Sequence, residues 1–205
     1  MRSGAWQDGP APLTSDVHGK TLGILGMGRI GRRVARVALA LDMNVQYHNR
    51  TRSTEYPDAT WVDRATLFRT SDFIVLLVPL TAKTRASVGA QELGMMKNSA
   101  YLINISRGAV VNEAELIAVL GANKIAGAAL DVMETEPIGA DHPLCQFPNV
   151  LLLPHVGSAT YETRQAMTEL AITNLIDALA GRVPAGDVNS ARASSRAHSR
   201  ANDCN

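Results

Sequence analysis

From Thr21 onward, short apolar runs alternate with stretches of helical period. Thr21-Leu22-Gly23-Ile24-Leu25 is apolar throughout and reads as a buried strand. Ile30, Val34, Val37, Ala38 and Leu41 then recur at the spacing of a single apolar helix face. Further strand candidates stand at 45–47, 73–78, 101–105, 125–130 and 150–153. Asn112, with Glu115 three residues on, reads as a capping box, and Gly121 stands where that helix should stop. A last long helix is predicted from near Thr160, with Ile172, Leu175, Ile176 and Leu179 on one face. It ends at Gly181, with Pro184 beyond. Six apolar strands alternating with helices predict an α/β fold, a doubly wound parallel sheet with helices on both faces.

This pattern fills residues 21–189, which read as one domain. Residues 1–20, rich in Gly, Pro, Ser and Asp, read as a lead-in. Residues 190–205 hold four Ser, three Arg and little that is apolar beyond Ala, so a disordered tail is expected there. No internal repeat is visible.

Composition narrows the function classes. The chain has 205 residues, 46% hydrophobic and 19% charged, which suits one well-cored domain with trimmings. Twenty basic against nineteen acidic residues leave a net charge of +1 and no electrostatic case for nucleic acid or a membrane surface as partner. The two cysteines, Cys145 and Cys204, form no CxxC pair, and no metal-ligand spacing such as HExxH occurs. No run approaches the roughly 20 apolar residues of a membrane helix, and residues 1–8 lack the apolar stretch of a secretory signal. A soluble cytoplasmic protein without a metal is the expectation.

Gly26-Met27-Gly28-Arg29-Ile30-Gly31 is G-x-G-x-x-G, placed between a predicted strand and a predicted helix. In that context the first glycine makes the tight turn, the second lets a pyrophosphate approach the backbone, and the third lets helix and strand pack closely. Two rival phosphate loops fail. Gly19-Lys20-Thr21 lacks the earlier glycine of a P-loop, since Thr14 stands there, and no HRD or DFG sequence supports a kinase. NAD-preferring domains carry Asp or Glu about 20 residues past the glycines, on the ribose 2′-hydroxyl. Here the segment is Tyr47-His48-Asn49-Arg50-Thr51-Arg52, with no carboxylate. Arg50 and Arg52 suit a 2′-phosphate instead, so NADP(H) is favoured over NAD(H), with Asn49, Arg50 and Thr51 as cofactor contacts.

Taken with the downstream motifs, the chain resembles the D-isomer-specific 2-hydroxyacid dehydrogenases, above all their glyoxylate/hydroxypyruvate and 2-ketogluconate reductases. The motifs are Gly26 to Gly31, Val78-Pro79-Leu80-Thr81, and Met96-Lys97 leading to Asn104-Ile105-Ser106-Arg107-Gly108. Asp131-Val132-Met133-Glu134-Thr135-Glu136-Pro137 and Pro154-His155-Val156-Gly157-Ser158 follow in the family's order. The resemblance implies a catalytic trio of Arg107, Glu136 and His155. Arg107 would hold the substrate carboxylate and polarise its carbonyl, His155 would exchange the proton, and Glu136 would orient the imidazole and favour its protonated form. It also implies cofactor contacts from Arg29, Ile30, Val78, Pro79, Ile105, Ser106, Arg107, Asp131, His155, Gly157 and Ser158. A small 2-oxo acid is the implied substrate and a homodimer the implied assembly. Glu134 is a rival to Glu136 that the family spacing sets aside. His18, His48, His142 and His198 match no motif and read as bystanders.

Family members place most of a substrate lobe before the segment matched by the lead-in and complete it after the Val-Asn matched by Val188-Asn189. The expectation is therefore a chain holding mainly the cofactor half, with Arg107 in an open, wet site and apolar residues of the last helix exposed. Two hypotheses stand: an NADPH-linked 2-oxoacid reductase, or a catalytically silent, cofactor-binding and dimerising module.

Overall fold

Strands that are apolar on both faces must be covered on both, and the chain meets that demand with a parallel sheet between two helical layers. The structure, a computed structural model, describes residues 7, 9, 13–52 and 56–187. The expected tail at 190–205 and most of the lead-in lie outside the described residues. The chain divides into two units, 1–154 and 155–205.

The first unit holds seven strands: β1 (Thr21–Leu25), β2 (Asn44–His48), β3 (Thr60–Trp61), β4 (Phe73–Leu76), β5 (Tyr101–Asn104), β6 (Gly127–Leu130) and β7 (Val150–Leu152). Their order is β3-β2-β1-β4-β5-β6-β7, and every pairing is parallel. Six of these match the sequence expectation. β3, an edge strand of two residues, has no apolar run to announce it. The order reverses beside β1, so the crevice at the carboxyl ends of β1 and β4 is where such sheets take ligands.

Successive residues of a strand serve opposite faces. Ile74 and Leu76 join the larger core with Leu67 and Phe68 of α2 (Arg64–Thr70), Leu93 of α3 (Ala90–Met95) and Leu116 and Leu120 of α4 (Glu113–Gly121). Val75 joins the smaller core with Ile24, Val45, Tyr47 and α1 (Arg29–Ala40).

Two sequence expectations need correction. α1 does not bury the face of large residues: Ile30 is 61% exposed, Val37 62% and Leu41 50%, while Gly31, Ala35 and Ala38 face the sheet. Close approach explains this, because a Cβ at Gly31 would stand 2.7 Å from the Gly26 carbonyl oxygen and only small side chains fit the seam. The capping box is half formed. Asn112 accepts from the Glu115 N–H at 3.3 Å, but the Glu115 carboxylate reaches across to the Ala90 N–H that opens α3.

At the amino edge of the sheet, Asp72 joins three segments. Its carboxylate accepts from the Thr21 N–H at 2.9 Å and from Lys97 Nζ at 2.8 Å. Burial opposes ionisation there, but the Lys97 and Thr21 hydrogen bonds and the Lys97 and Lys20 charges outweigh it and hold the carboxyl below its ordinary range.

In the second unit, Thr160 caps α5 (Tyr161–Leu179) by accepting from the Thr163 N–H at 3.1 Å, and Gly181 closes it with φ of 71°. No residue of α5 is buried. Ile172, Leu175, Ile176 and Leu179 are all exposed, as the resemblance implied.

Candidate active site

The carboxyl edge of the first unit begins with the glycine turn. Gly26 has φ of 106°, and a Cβ there would lie 2.8 Å from the Leu77 carbonyl carbon and 3.0 Å from the Val78 nitrogen. Only glycine fits. At Gly28 an added Cβ meets nothing within 4 Å, so the chain leaves space in front of the turn. Gly28 also caps α1 without a side chain, so it supplies no side-chain acceptor to the first-turn N–H groups. Open space, first-turn N–H groups without a capping side chain and the positive end of a 12-residue helix suit a pyrophosphate.

The end of β2 holds this turn in place. His48 O accepts from the Gly26 N–H at 3.1 Å. The Asn49 side chain brackets Met27, accepting from its N–H at 2.8 Å and donating to its carbonyl at 3.2 Å. Asn49 thus acts on the turn itself. Its own carbonyl accepts from Trp61 Nε1 at 3.2 Å, which recruits the short edge strand as a brace. Arg50, Thr51 and Arg52 follow, all exposed. Beyond β4, Val78 is half-buried and Pro79 exposed, and Thr84 Oγ1 donates to the Pro79 carbonyl at 2.6 Å to shape that loop.

The end of β5 is built differently. Asn104, 1% exposed, accepts from the Ser106 N–H at 3.1 Å and from Ser106 Oγ at 2.8 Å, and donates to the Arg107 carbonyl at 3.1 Å. One buried amide therefore fixes residues 105–107. Ile105 and Arg107 point outward and are exposed, while Ser106 is buried. Arg107 Nη1 donates to the Ser106 carbonyl at 2.6 Å. Behind it, a Cβ at Gly108 would run into the Met133 carbonyl, so this loop lies directly on the one carrying Glu136.

Asp131, buried at the end of β6, donates its N–H to the Asn104 carbonyl at 3.0 Å. Glu136 Oε1 accepts from the Met133 N–H at 2.9 Å. Glu113, at the start of α4, accepts from the Glu134 N–H at 2.9 Å and pairs with His142 Nε2 at 3.3 Å. His142, set aside in the sequence, thus helps hold the acidic loop. Glu134 itself is exposed.

Six segments of the first unit therefore converge at one sheet edge: Gly26 to Gly31, His48 to Arg52, Val78-Pro79, Ile105 to Arg107, Asp131 and Glu136. His155, Gly157 and Ser158 open the second unit. There His155 is exposed with φ of 53°, a left-handed backbone uncommon outside glycine. Among the described residues, no group of three His, Cys, Asp or Glu side chains could hold a metal, and no helix is long and apolar enough to cross a membrane.

Parallel topology, the reversal beside β1 and the glycine turn define a Rossmann-type dinucleotide-binding domain. The chain belongs to the D-isomer specific 2-hydroxyacid dehydrogenase family, whose NAD binding domain matches residues 1–157. Glyoxylate/hydroxypyruvate reductase B of Salmonella newport (strain SL254) is 47% identical over 195 residues, covering 92% of this chain and 60% of the relative. A glyoxylate reductase from Paecilomyes thermophila superposes with a TM-score of 0.81 at 42% identity, covering 86% of this chain and 54% of that one. The TT0316 protein from Thermus thermophilus does so at 0.84 and 40%, covering 90% and 59%. The chain thus spans about 60% of the length of the curated relatives it matches.

Proposed function

We propose that this chain carries the cofactor half of an NADP(H)-dependent reductase of small 2-oxo acids of the glyoxylate and hydroxypyruvate class. The observation that carries the reading is the open, uncapped glycine turn at Gly28 on the same sheet edge as the Asn104-braced Arg107 loop. The names of the relatives, glyoxylate and hydroxypyruvate reductases, support the substrate class. Arg50 and Arg52, in a segment without a carboxylate, support the 2′-phosphate.

In this reading the bound nicotinamide supplies the hydride that reaches the 2-oxo carbon. Arg107 grips the substrate carboxylate and draws electron density from the carbonyl. His155 gives its proton to the developing alkoxide oxygen, so the carbonyl becomes a hydroxyl and the imidazole leaves neutral. Glu136 is the trio's carboxylate, and Asp131 takes the cofactor's carboxamide. The left-handed backbone of His155 supports a site held against its conformational preference. A second reading, a cofactor-binding module without turnover, is favoured by the exposure of Arg107, since water weakens a cation's hold on a carboxylate.

The test is NADPH oxidation by the purified chain with saturating hydroxypyruvate or glyoxylate. Turnover far above a His155→Ala control establishes the reductase. Tight NADPH binding with turnover no greater than the control establishes the silent module.

A further inference from the structure

One residue set aside in the sequence stands where the cofactor would be read. His48 ends β2, in register with Leu25 and directly before the Asn49 brace of the glycine turn. It lies 20 residues past Gly28, the spacing at which NAD-preferring domains place a ribose-binding carboxylate. Asn49 spends its amide oxygen and one amide N–H on the two polar groups of Met27, which turns that side chain toward the glycine turn. The His48 ring is held on two sides: Nδ1 lies 2.9 Å from the Val62 carbonyl oxygen, and the Trp61 ring sits 5.9 Å away at 39°. A carbonyl only accepts, so Nδ1 carries a proton in every charge state of the ring. Nε2 is the ring's other nitrogen, on a half-buried side chain at the carboxyl end of β2.

We propose that His48 reads the 2′ position of the adenine ribose in two protonation states. Neutral, its Nε2 accepts from the 2′-hydroxyl of NAD(H); protonated, the same nitrogen donates to the 2′-phosphate of NADP(H). Cofactor preference then tilts toward NADP(H) as pH falls. The inference rests on the reading of this sheet edge as a dinucleotide cleft.

Charged residues on the neighbouring described segments include Arg50 and Arg52 after His48, Arg29 at the start of α1, and Asp58 and Asp63 on either side of β3. Asp63 accepts from the Thr66 N–H and hydroxyl, which hold its carboxyl below the ordinary range.

The experiment is calorimetric titration of NADP+ and NAD+ into the intact chain at about pH 6 and about pH 8. The preference for NADP+ over NAD+ should be about tenfold greater at the lower pH, the size of one charge-assisted hydrogen bond. Protonation of the 2′-phosphate itself, with a second pKa near 6, works in the opposite direction, so a gain on acidification is diagnostic. In His48→Gln, which keeps an amide in place of the ring, that gain should vanish. A ratio unchanged by pH in the parent chain, or a gain that survives in the variant, overturns the proposal while leaving the cleft intact. Failure of both nucleotides to bind overturns the cleft reading and this inference with it. Nitrogen-15 shifts of the His48 ring in the unaltered chain give a second check: a neutral ring protonated at Nε2 would contradict the assigned geometry.

Discussion

The two ends of the carboxyl edge solve the same problem with opposite means. At β1 and β2 the chain leaves room: Gly28 faces open space, α1 begins uncapped, and the supporting amide of Asn49 works from behind. At β5 and β6 the chain fills the room: Gly108 is pressed against the Met133 carbonyl, and buried Asn104 bonds three groups of the Arg107 loop. Glu113 ties in the next loop. A glycine therefore means different things at the two ends. One admits a ligand and the other admits the protein's own backbone.

The largest test of that contrast is a pair of identical substitutions. Gly108→Ala should lower stability by about 2–3 kcal/mol in urea unfolding, because the backbone on both sides must move. Gly28→Ala, at an extended backbone with nothing nearby, should leave stability within about 0.5 kcal/mol while weakening NADP+ binding tenfold or more. Asn104→Ala should cost about 2 kcal/mol, since it strands the Ser106 N–H and hydroxyl in a buried site. Arg50→Asp should reduce the preference for NADP+ over NAD+ by about tenfold with stability unchanged, as measured by the ratio of the two affinities. Asn49→Ala should cost about 1 kcal/mol and lower the affinity for both nucleotides alike, because it loosens Met27 without touching the ribose.

The smallest effect belongs to the amino edge. Folding lowers the Asp72 pKa, so its pairing stabilises the chain above the unfolded value near 3.8 and that gain is lost as pH falls through the lower folded value. Lys97 is 37% exposed, which limits the pair to about 1 kcal/mol at most. Lys97→Met should therefore destabilise the chain slightly at neutral pH and make no difference in strong acid, as read from unfolding midpoints.

What the sequence showed and hid follows from the same physics. Six strands, the Thr160 cap and the Gly181 stop were legible because apolar runs and cap residues act locally. The buried face of α1 was legible only in part: Ala38 of the predicted face is buried, but the pattern rewards large residues, whereas the helix–sheet seam also takes Gly31 and Ala35. β3 was too short to show a period. The glycine turn was legible from its spacing. Asn49 was singled out as a cofactor contact, yet its side chain turned out to be bonded to Met27 22 residues away, a pairing no local pattern reveals. His48, Glu113 and His142 escaped notice for a related reason: His48 meets the Val62 carbonyl, and Glu113 meets the Glu134 N–H and the His142 ring, only once the chain is folded. Asn104 stood in a motif, but its bracing of Ser106 and Arg107 is a turn that residue types alone do not reveal. An alternative signal did exist for His48, in its distance from Gly28.

The central claim is that the carboxyl edge of the first unit takes a dinucleotide across the turn at Gly28. Amide proton–nitrogen spectra of the chain, recorded during addition of NADP+, test it most directly. The account predicts shifts concentrated at Gly26 to Gly31, His48 to Thr51, Val78 and Ile105 to Ser106, with Thr21, Asp72 and Tyr101 at the opposite edge unmoved. Saturating NADP+ that leaves the glycine-turn amides in place, or moves the amino edge instead, would contradict it.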